Sequence, residues 1–228
     1  MKIGIIGAMQ IEVDNLKKHM TDTKEAQISG VTFTQGQVEG VDVVAAVCGV
    51  GKVFAAICTE AMILKYDVDC VINIGVAGTL CEELGVMDVA IANRVVQHDM
   101  NTSALGDPVG LLSGLNEIYL PADEKLNAVI EKCVAARNIN YEVGTIATGD
   151  LFLAKKSTKV HLHENFGAIA GEMEGGSIGQ VCYVNQVPFA IIRSISDGKG
   201  AEMDYATFAE KAAQVGIEVV LDVIKELA

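Results

Sequence analysis

Short apolar runs alternate along this chain with longer stretches in which apolar residues recur every three or four positions, the marks of buried strands and of one-sided helices. Lys2 to Ile6 predicts a strand broken by Gly7-Ala8, and Met9 to Met20 a helix with Val13, Leu16 and Met20 on its inner face. Val31 to Val38 and Val41 to Val47 predict a hairpin about Glu39-Gly40. A helix over Lys52 to Leu64 precedes a buried strand, Cys70 to Ile74, that ends in a Gly75-Val76-Ala77-Gly78 turn. Strands follow over Met87 to Ala92 and Arg94 to Gln97, then a helix over Ala122 to Ala136 and a strand from Val143 to Ala147 that exits at Thr148-Gly149-Asp150. Phe166 to Ala170 leads into Gly171-Glu172-Met173-Glu174-Gly175-Gly176, and Ser177 to Val184 predicts a short helix. Val187 to Ile195 predicts a strand leaving through Ser196-Asp197-Gly198-Lys199-Gly200, and a long last helix carries the inward stripe Phe208, Ala212, Val215, Val219, Val223. Two segments lack periodicity: 98–114, long enough to suggest a functional loop, and a mixed stretch holding Lys155, Lys156, His161 and His163. Strands alternating with helices predict an α/β fold with a mixed, mostly parallel sheet, one domain over residues 1–228.

Composition narrows the partners. Seventeen basic against 30 acidic side chains leave a net charge of −13, which excludes non-specific binding to nucleic acid or an anionic membrane. The ligand is expected to be neutral or cationic, or to be met in a locally positive pocket. The six cysteines show no C-x-x-C spacing and lie mostly in apolar stretches, where a free thiol behaves as a small hydrophobe. The opening apolar run, Ile3 to Met9, is too short for a secretory signal. No stretch approaches the roughly 18 apolar residues of a membrane span, so a reduced, cytoplasmic protein is expected.

Candidate chemistry collects at the strand exits, where open α/β sheets bind ligands. Glu12, Asp150, the Glu172/Glu174 pair and Asp197 would share one rim, with Arg193 on the strand just before Asp197. Charges gathered in one cleft shift one another's ionisation and mark a functional site. If the chain is still extended at Glu172 and Glu174, both side chains point the same way. Gly4-Ile5-Ile6-Gly7 is not a dinucleotide-binding turn, and Gly49-Val50-Gly51-Lys52 only resembles the end of a phosphate-binding loop. His161-x-His163 is too weak a spacing for a metal site, and neither metal nor cofactor is expected. Paired acid/base catalysis is the favoured reading.

Taken together, Met1 to Met9, Glu12, Gly75 to Gly78, Gly149-Asp150, Glu172-Met173-Glu174 and Arg193-x-x-Ser196-Asp197 resemble the 5′-methylthioadenosine/S-adenosylhomocysteine nucleosidases, within the wider purine nucleoside phosphorylase superfamily. The resemblance covers essentially the whole chain and implies a three-layer domain, a homodimer, and hydrolysis of the N-glycosidic bond of methylthioadenosine and adenosylhomocysteine, with 5′-deoxyadenosine as a further substrate. Adenine and a thioribose would be released, in methionine salvage and the recycling of S-adenosylmethionine by-products. It implies that Asp197 is the general acid toward adenine N7, which calls for burial and neighbouring acids to keep its proton at neutral pH. Glu12 would be the base that activates water, placed with the help of Arg193. Glu174 would bind the ribose hydroxyls and favour the cationic transition state, Met173 would pack on the sugar, and Glu172 would be structural. Phe152 would stack on adenine, with the backbone of Phe152 and Leu153 reading its edge; Val76 and Ser196 would also touch the substrate, and Phe208 would close the 5′ pocket. Read without the resemblance, Met173 is equally plausible as a core residue, and ordinary core packing is the preferred reading of both phenylalanines. The loop at 98–114 would cross the dimer to cover the partner's 5′-thio group, making Thr102 and Leu105 candidates there.

Two positions depart from the superfamily's phosphorylases. Asn73 and Val76 stand where an arginine and a hydroxyl would hold phosphate, and the chain has only three arginines, Arg94, Arg137 and Arg193. Phosphate beside so many carboxylates needs such a clamp, so water is the expected nucleophile. Serine or threonine is common in nucleosidases at the position of Val76, so one polar contact is expected to be missing. The rival readings are an aminodeoxyfutalosine nucleosidase, a phosphorylase, and a non-enzymatic nucleoside binder.

Overall fold

In the computed structural model, residues 1–197 and 205–228 are described; Gly198, Lys199 and Gly200 of the predicted exit lie outside them. The chain runs β1 (Lys2–Gly7), α1 (Gln10–Lys17), β2 (Thr21–Ile28), β3 (Val31–Val38), β4 (Val41–Val47), α2 (Lys52–Tyr66), β5 (Cys70–Thr79), β6 (Val89–Gln97), β7 (Tyr119–Pro121), α3 (Glu124–Ala136), β8 (Tyr141–Thr148), α4 (Lys156–Phe166), β9 (Ala168–Glu172), α5 (Gly175–Asn185), β10 (Phe189–Asp197) and α6 (Tyr205–Glu226).

The strands form one mixed sheet. Parallel ladders join β1 to β4 and β5, β5 to β10, β6 to β8 and β8 to β9. Antiparallel ladders add the β2–β3–β4 meander and the short β7, and link β10 to β6 and β5 to β9. Because β10 bonds to both β5 and β6 while β9 bonds to both β8 and β5, these five strands close on themselves. Alternate strand residues feed two apolar cores, as expected of a sheet covered on both faces. Ile6, Val44, Ala46 and Val71 pack with Met62 of α2 and Ile178 of α5; Ile3, Ile5, Val43 and Ile72 pack with Leu16 of α1, Ile130 of α3 and Val220 of α6. Burying two faces of the sheet against helices makes the three layers.

Several elements differ from the sequence pattern for identifiable reasons. β2 is exposed along nearly all its length and pairs only with β3; a polar edge strand has no apolar alternation to announce it. The predicted Gly75–Gly78 turn is strand: β5 runs on to Thr79 because β10 pairs with it from Val71 to Gly78. The two strands expected either side of Asn93 are one strand, β6, with a register shift between Ala92 and Arg94. The mixed stretch around Lys156 to His163 is helix α4, amphipathic enough to bury only Leu162 and Phe166.

Candidate active site

The Glu172-Met173-Glu174 segment is where strand becomes helix. β9 ends at Glu172, and Glu174 is the N-cap of α5 with φ −130° and ψ −40°, so the chain is not extended through both acids. Both carboxylates are nevertheless buried, and one arginine answers them. Glu172 Oε2 accepts from the Glu174 and Gly175 N–H groups at 3.0 and 2.7 Å and from Arg193 Nη2, and Oε1 accepts from the Thr148 hydroxyl. That carboxylate is saturated, and it caps α5. Glu174 is left with more open valence: Oε1 accepts from Gly51 N–H at 2.9 Å, and Oε2 lies 3.6 Å from Arg193 Nη2. Burial, and then the charge of Glu172, push Glu174 up to about 7, against the pull of Arg193 and the Gly51 N–H.

Arg193, on β10, is fully buried. Its Nη2 also donates to Asn73 Oδ1 at 2.5 Å, while Nε and Nη1 have no protein partner among the described residues. The three surrounding acids, Glu172, Glu174 and Glu12, hold it more firmly protonated than an ordinary guanidinium. Glu12 is anchored in the first turn of α1: Oε2 accepts from the Ala8 and Met9 N–H groups at 2.7 and 2.9 Å, and Oε1 from Val76 N–H at 3.0 Å. The sequence makes room for this pair through Gly75, where a Cβ would collide with Arg193 Nη1 and come within 2.7 Å of Glu12 Oε1. Gly78 does the same for Asp197, whose Oδ1 would lie 2.6 Å from a Cβ there.

Glu12, Val76, Phe152, Leu153, Met173, Glu174, Ser196 and Asp197 all line one cavity of about 260 Å³. Its lining combines four acids, Glu12, Glu172, Glu174 and Asp197, with the apolar side chains of Met9, Val50, Leu151 and Phe152. Arg193 is not among the lining residues and contacts two of them, Glu172 and Glu174. Phe208, half-buried on α6, is not among the lining residues. Asp150, expected on the rim, turns away: Oδ1 accepts from Lys52 N–H at 2.8 Å, and its own N–H donates to Asp99. Thr102 and Leu105 lie on the 98–114 loop outside this cavity; Thr102 Oγ1 donates to Asp107, and Leu105, at 83% exposure, is the most exposed large apolar side chain among the described residues. The acids expected around Asp197 are committed elsewhere, and its ionic neighbour is a cation, Lys159 of α4.

Two features escaped the sequence reading. Gly49-Val50-Gly51-Lys52 is no phosphate loop, yet it opens α2 with Gly51 at φ +99° and aims an N–H at Glu174, the same use of a helix start that would otherwise hold an anion. The paired glycines at a helix entry were the available signal. Lys159 could not be seen at all, since only tertiary folding brings α4 to the end of β10.

Fold and site together define an α/β protein with an acidic, half-enclosed cleft for a small polar ligand. The family model for the phosphorylase superfamily matches residues 2–225, and the chain belongs to that superfamily. The chain is 39% identical to a 5′-methylthioadenosine/S-adenosylhomocysteine nucleosidase of Bacillus velezensis, with all of both chains covered. Among solved structures it is similar to a mutant nucleosidase of that kind from Helicobacter pylori with 5′-methylthioadenosine in its active site, at a TM-score of 0.93 and 34% identity over 99% of this chain and 98% of that one. It is equally similar to the native futalosine hydrolase of the same organism, at 0.93 and 34% over the same shares.

Proposed function

We propose that this protein hydrolyses the N-glycosidic bond of 5′-methylthioadenosine and S-adenosylhomocysteine, releasing adenine and the thioribose product. The carrying observation is the convergence of Glu12, Glu174 and Asp197 on one cavity beside a buried Arg193, in a chain whose relatives of that activity match it end to end. Glu12 takes a proton from the attacking water. Its Oε1 and the unpartnered Arg193 Nη1 both flank the space that a side chain on Gly75 would fill, which suits them to hold that water between them. Glu174 receives the ribose hydroxyls, and its charge opposes the positive charge that develops on the sugar as the bond breaks. Asp197, in the same lining, protonates the departing adenine. Met173 and Val76 bound the sugar, Phe152 and Leu153 the base, with Ser196 beside it and Phe208 toward the 5′ end. Asn73 is no phosphate ligand here: it is buried, and its amide is committed to Ile6 O and Arg193, which supports water as nucleophile.

We also read residues 1–228 as one domain acting as a cytoplasmic homodimer, with Thr102 and Leu105 meeting the partner's 5′ pocket. The apolar face of α2 and α5 that Val53, Phe54, Ile57, Leu64 and Val184 leave exposed supports the dimer. Among the described residues no helix is long and apolar enough to cross a membrane. The equal likeness to a futalosine hydrolase keeps aminodeoxyfutalosine as the second reading of the substrate. The test is a side-by-side rate comparison on methylthioadenosine, adenosylhomocysteine and aminodeoxyfutalosine in phosphate-free buffer. Adenine and free thioribose are the expected products from the first two; a strict requirement for phosphate with a ribose 1-phosphate product would overturn hydrolysis.

A further inference from the structure

Asp197 closes β10 in an ion pair. Lys159 Nζ, from α4, lies 2.9 Å from Oδ1 and 3.0 Å from Oδ2, and the two side chains keep 20% and 26% of their surface. An acid needs a proton to give, and among the described residues the ionic partner against Asp197 is this ammonium. Arg193 is fully buried, engaged by Glu172 and Asn73, and a guanidinium does not give up its proton. The Ser196 hydroxyl is directed at Ala77 O, 3.5 Å away. Lys159 alone of these touches Asp197 while retaining a face to solvent.

We propose that Lys159 is a positioning residue that also supplies Asp197 with the proton it passes to the leaving adenine. The inference rests on the reading of Asp197 as general acid. The step balances as follows. One Lys159 Nζ proton first passes to Asp197 along the existing hydrogen bond, leaving a neutral amine and a carboxylic acid. The C1′–N9 bond then breaks with its electron pair going to the base, adenine N7 takes that proton from Asp197, and the amine is reloaded from water at its exposed face. The attacking water bonds to C1′ and leaves its proton on Glu12, which returns it to solvent. A lysine can do this because its ammonium is a true acid; an arginine in its place would keep the ion pair and lose the proton supply.

The test uses the full-length enzyme with Lys159→Met, Lys159→Arg and Asp197→Asn, each on methylthioadenosine and on the 4-nitrophenyl 5-methylthioriboside, whose phenolate departs without protonation. On methylthioadenosine, Lys159→Met is expected to lose on the order of 100-fold in kcat, the scale of one general-acid contribution, with little change in KM. Lys159→Arg is expected to stay as slow, and with both variants the loss should be confined to the adenine substrate. Recovery of kcat in Lys159→Arg would reduce Lys159 to a charge that orients the carboxylate and overturn the proton supply; so would wild-type kcat in Lys159→Met, or an equal loss on the nitrophenyl riboside. Asp197→Asn separates the two layers. If it remains fully active on methylthioadenosine, the acid reading itself falls; if it is inactive while Lys159→Met is not, only the role of Lys159 falls.

Discussion

At the scale of single residues, the two glutamates of the Glu172-Met173-Glu174 segment divide the work by their hydrogen bonds. Glu172 is saturated by two backbone N–H groups, a hydroxyl and Arg193, whereas Glu174 keeps a carboxylate oxygen for a ligand. Burial and the neighbouring charge raise Glu174 to about 7, and the proposed mechanism needs it ionised. The kcat/KM of the free enzyme is therefore expected to fall as pH drops through about 7, and a pH–rate profile of Glu174→Gln should lose that limb along with about 100-fold or more of the rate. The sign for stability is opposite. A glutamate whose folded form binds its proton more tightly stabilises the fold fully below the ordinary glutamate range, and that contribution is lost as pH rises through about 7. Thermal unfolding between pH 4 and 8 should accordingly slope less steeply downward in Glu174→Gln than in the wild type. The cysteines have no such part: burial pushes Cys58 and Cys70 up to about 12, far from thiolate reactivity at neutral pH.

At the scale of elements, the site depends on how closely β5 and β10 approach. Their parallel ladder sets Gly75 opposite Arg193, and the guanidinium folds into the space a side chain would take. Gly75→Ala is expected to displace Arg193 or Glu12, lowering kcat about 100-fold, the penalty of roughly an ångström of misplacement, and to destabilise the fold by about 1–3 kcal/mol through overpacking. Steady-state kinetics with a melting curve would check both, and an alanine variant with native kinetics would show that the pair has room to spare. This approach also explains why the glycine stretch was misread as a turn. Four residues with two glycines look like punctuation along the chain, yet here glycine marks a strand passing close to a buried side chain. Likewise the start of α2 was legible as a helix, but its aim at Glu174 was not, because the partner lies far along the chain.

At the scale of the whole molecule, the exposed apolar face is the feature that a monomer leaves unexplained. Phe54, 57% exposed, sits among Val53, Ile57 and Leu64 on α2, and single scattered apolar residues are ordinary where a contiguous face is not. The wild type is expected to sediment as a dimer and Phe54→Glu to shift toward monomer, with a fall in activity if the 98–114 loop completes the partner's site; a dimer unmoved by that charge would place the interface elsewhere. Much was determined by the sequence alone. Hydrophobic periodicity is a local property, so the alternation of strands and helices, the covered sheet and most element bounds could be read from it, and the acids at strand exits pointed to one rim. Polar β2 and the weakly amphipathic α4 were missed because their faces carry too little apolar contrast. Only the tertiary structure decided which acids meet which partners. It gave Glu172 to Arg193, turned Asp150 outward to α2, and brought Lys159 against Asp197. Those choices depend on distances between groups 21 to 98 positions apart along the chain, and hydrogen bonding and charge pairing act over a few ångströms in space, whatever the separation in sequence.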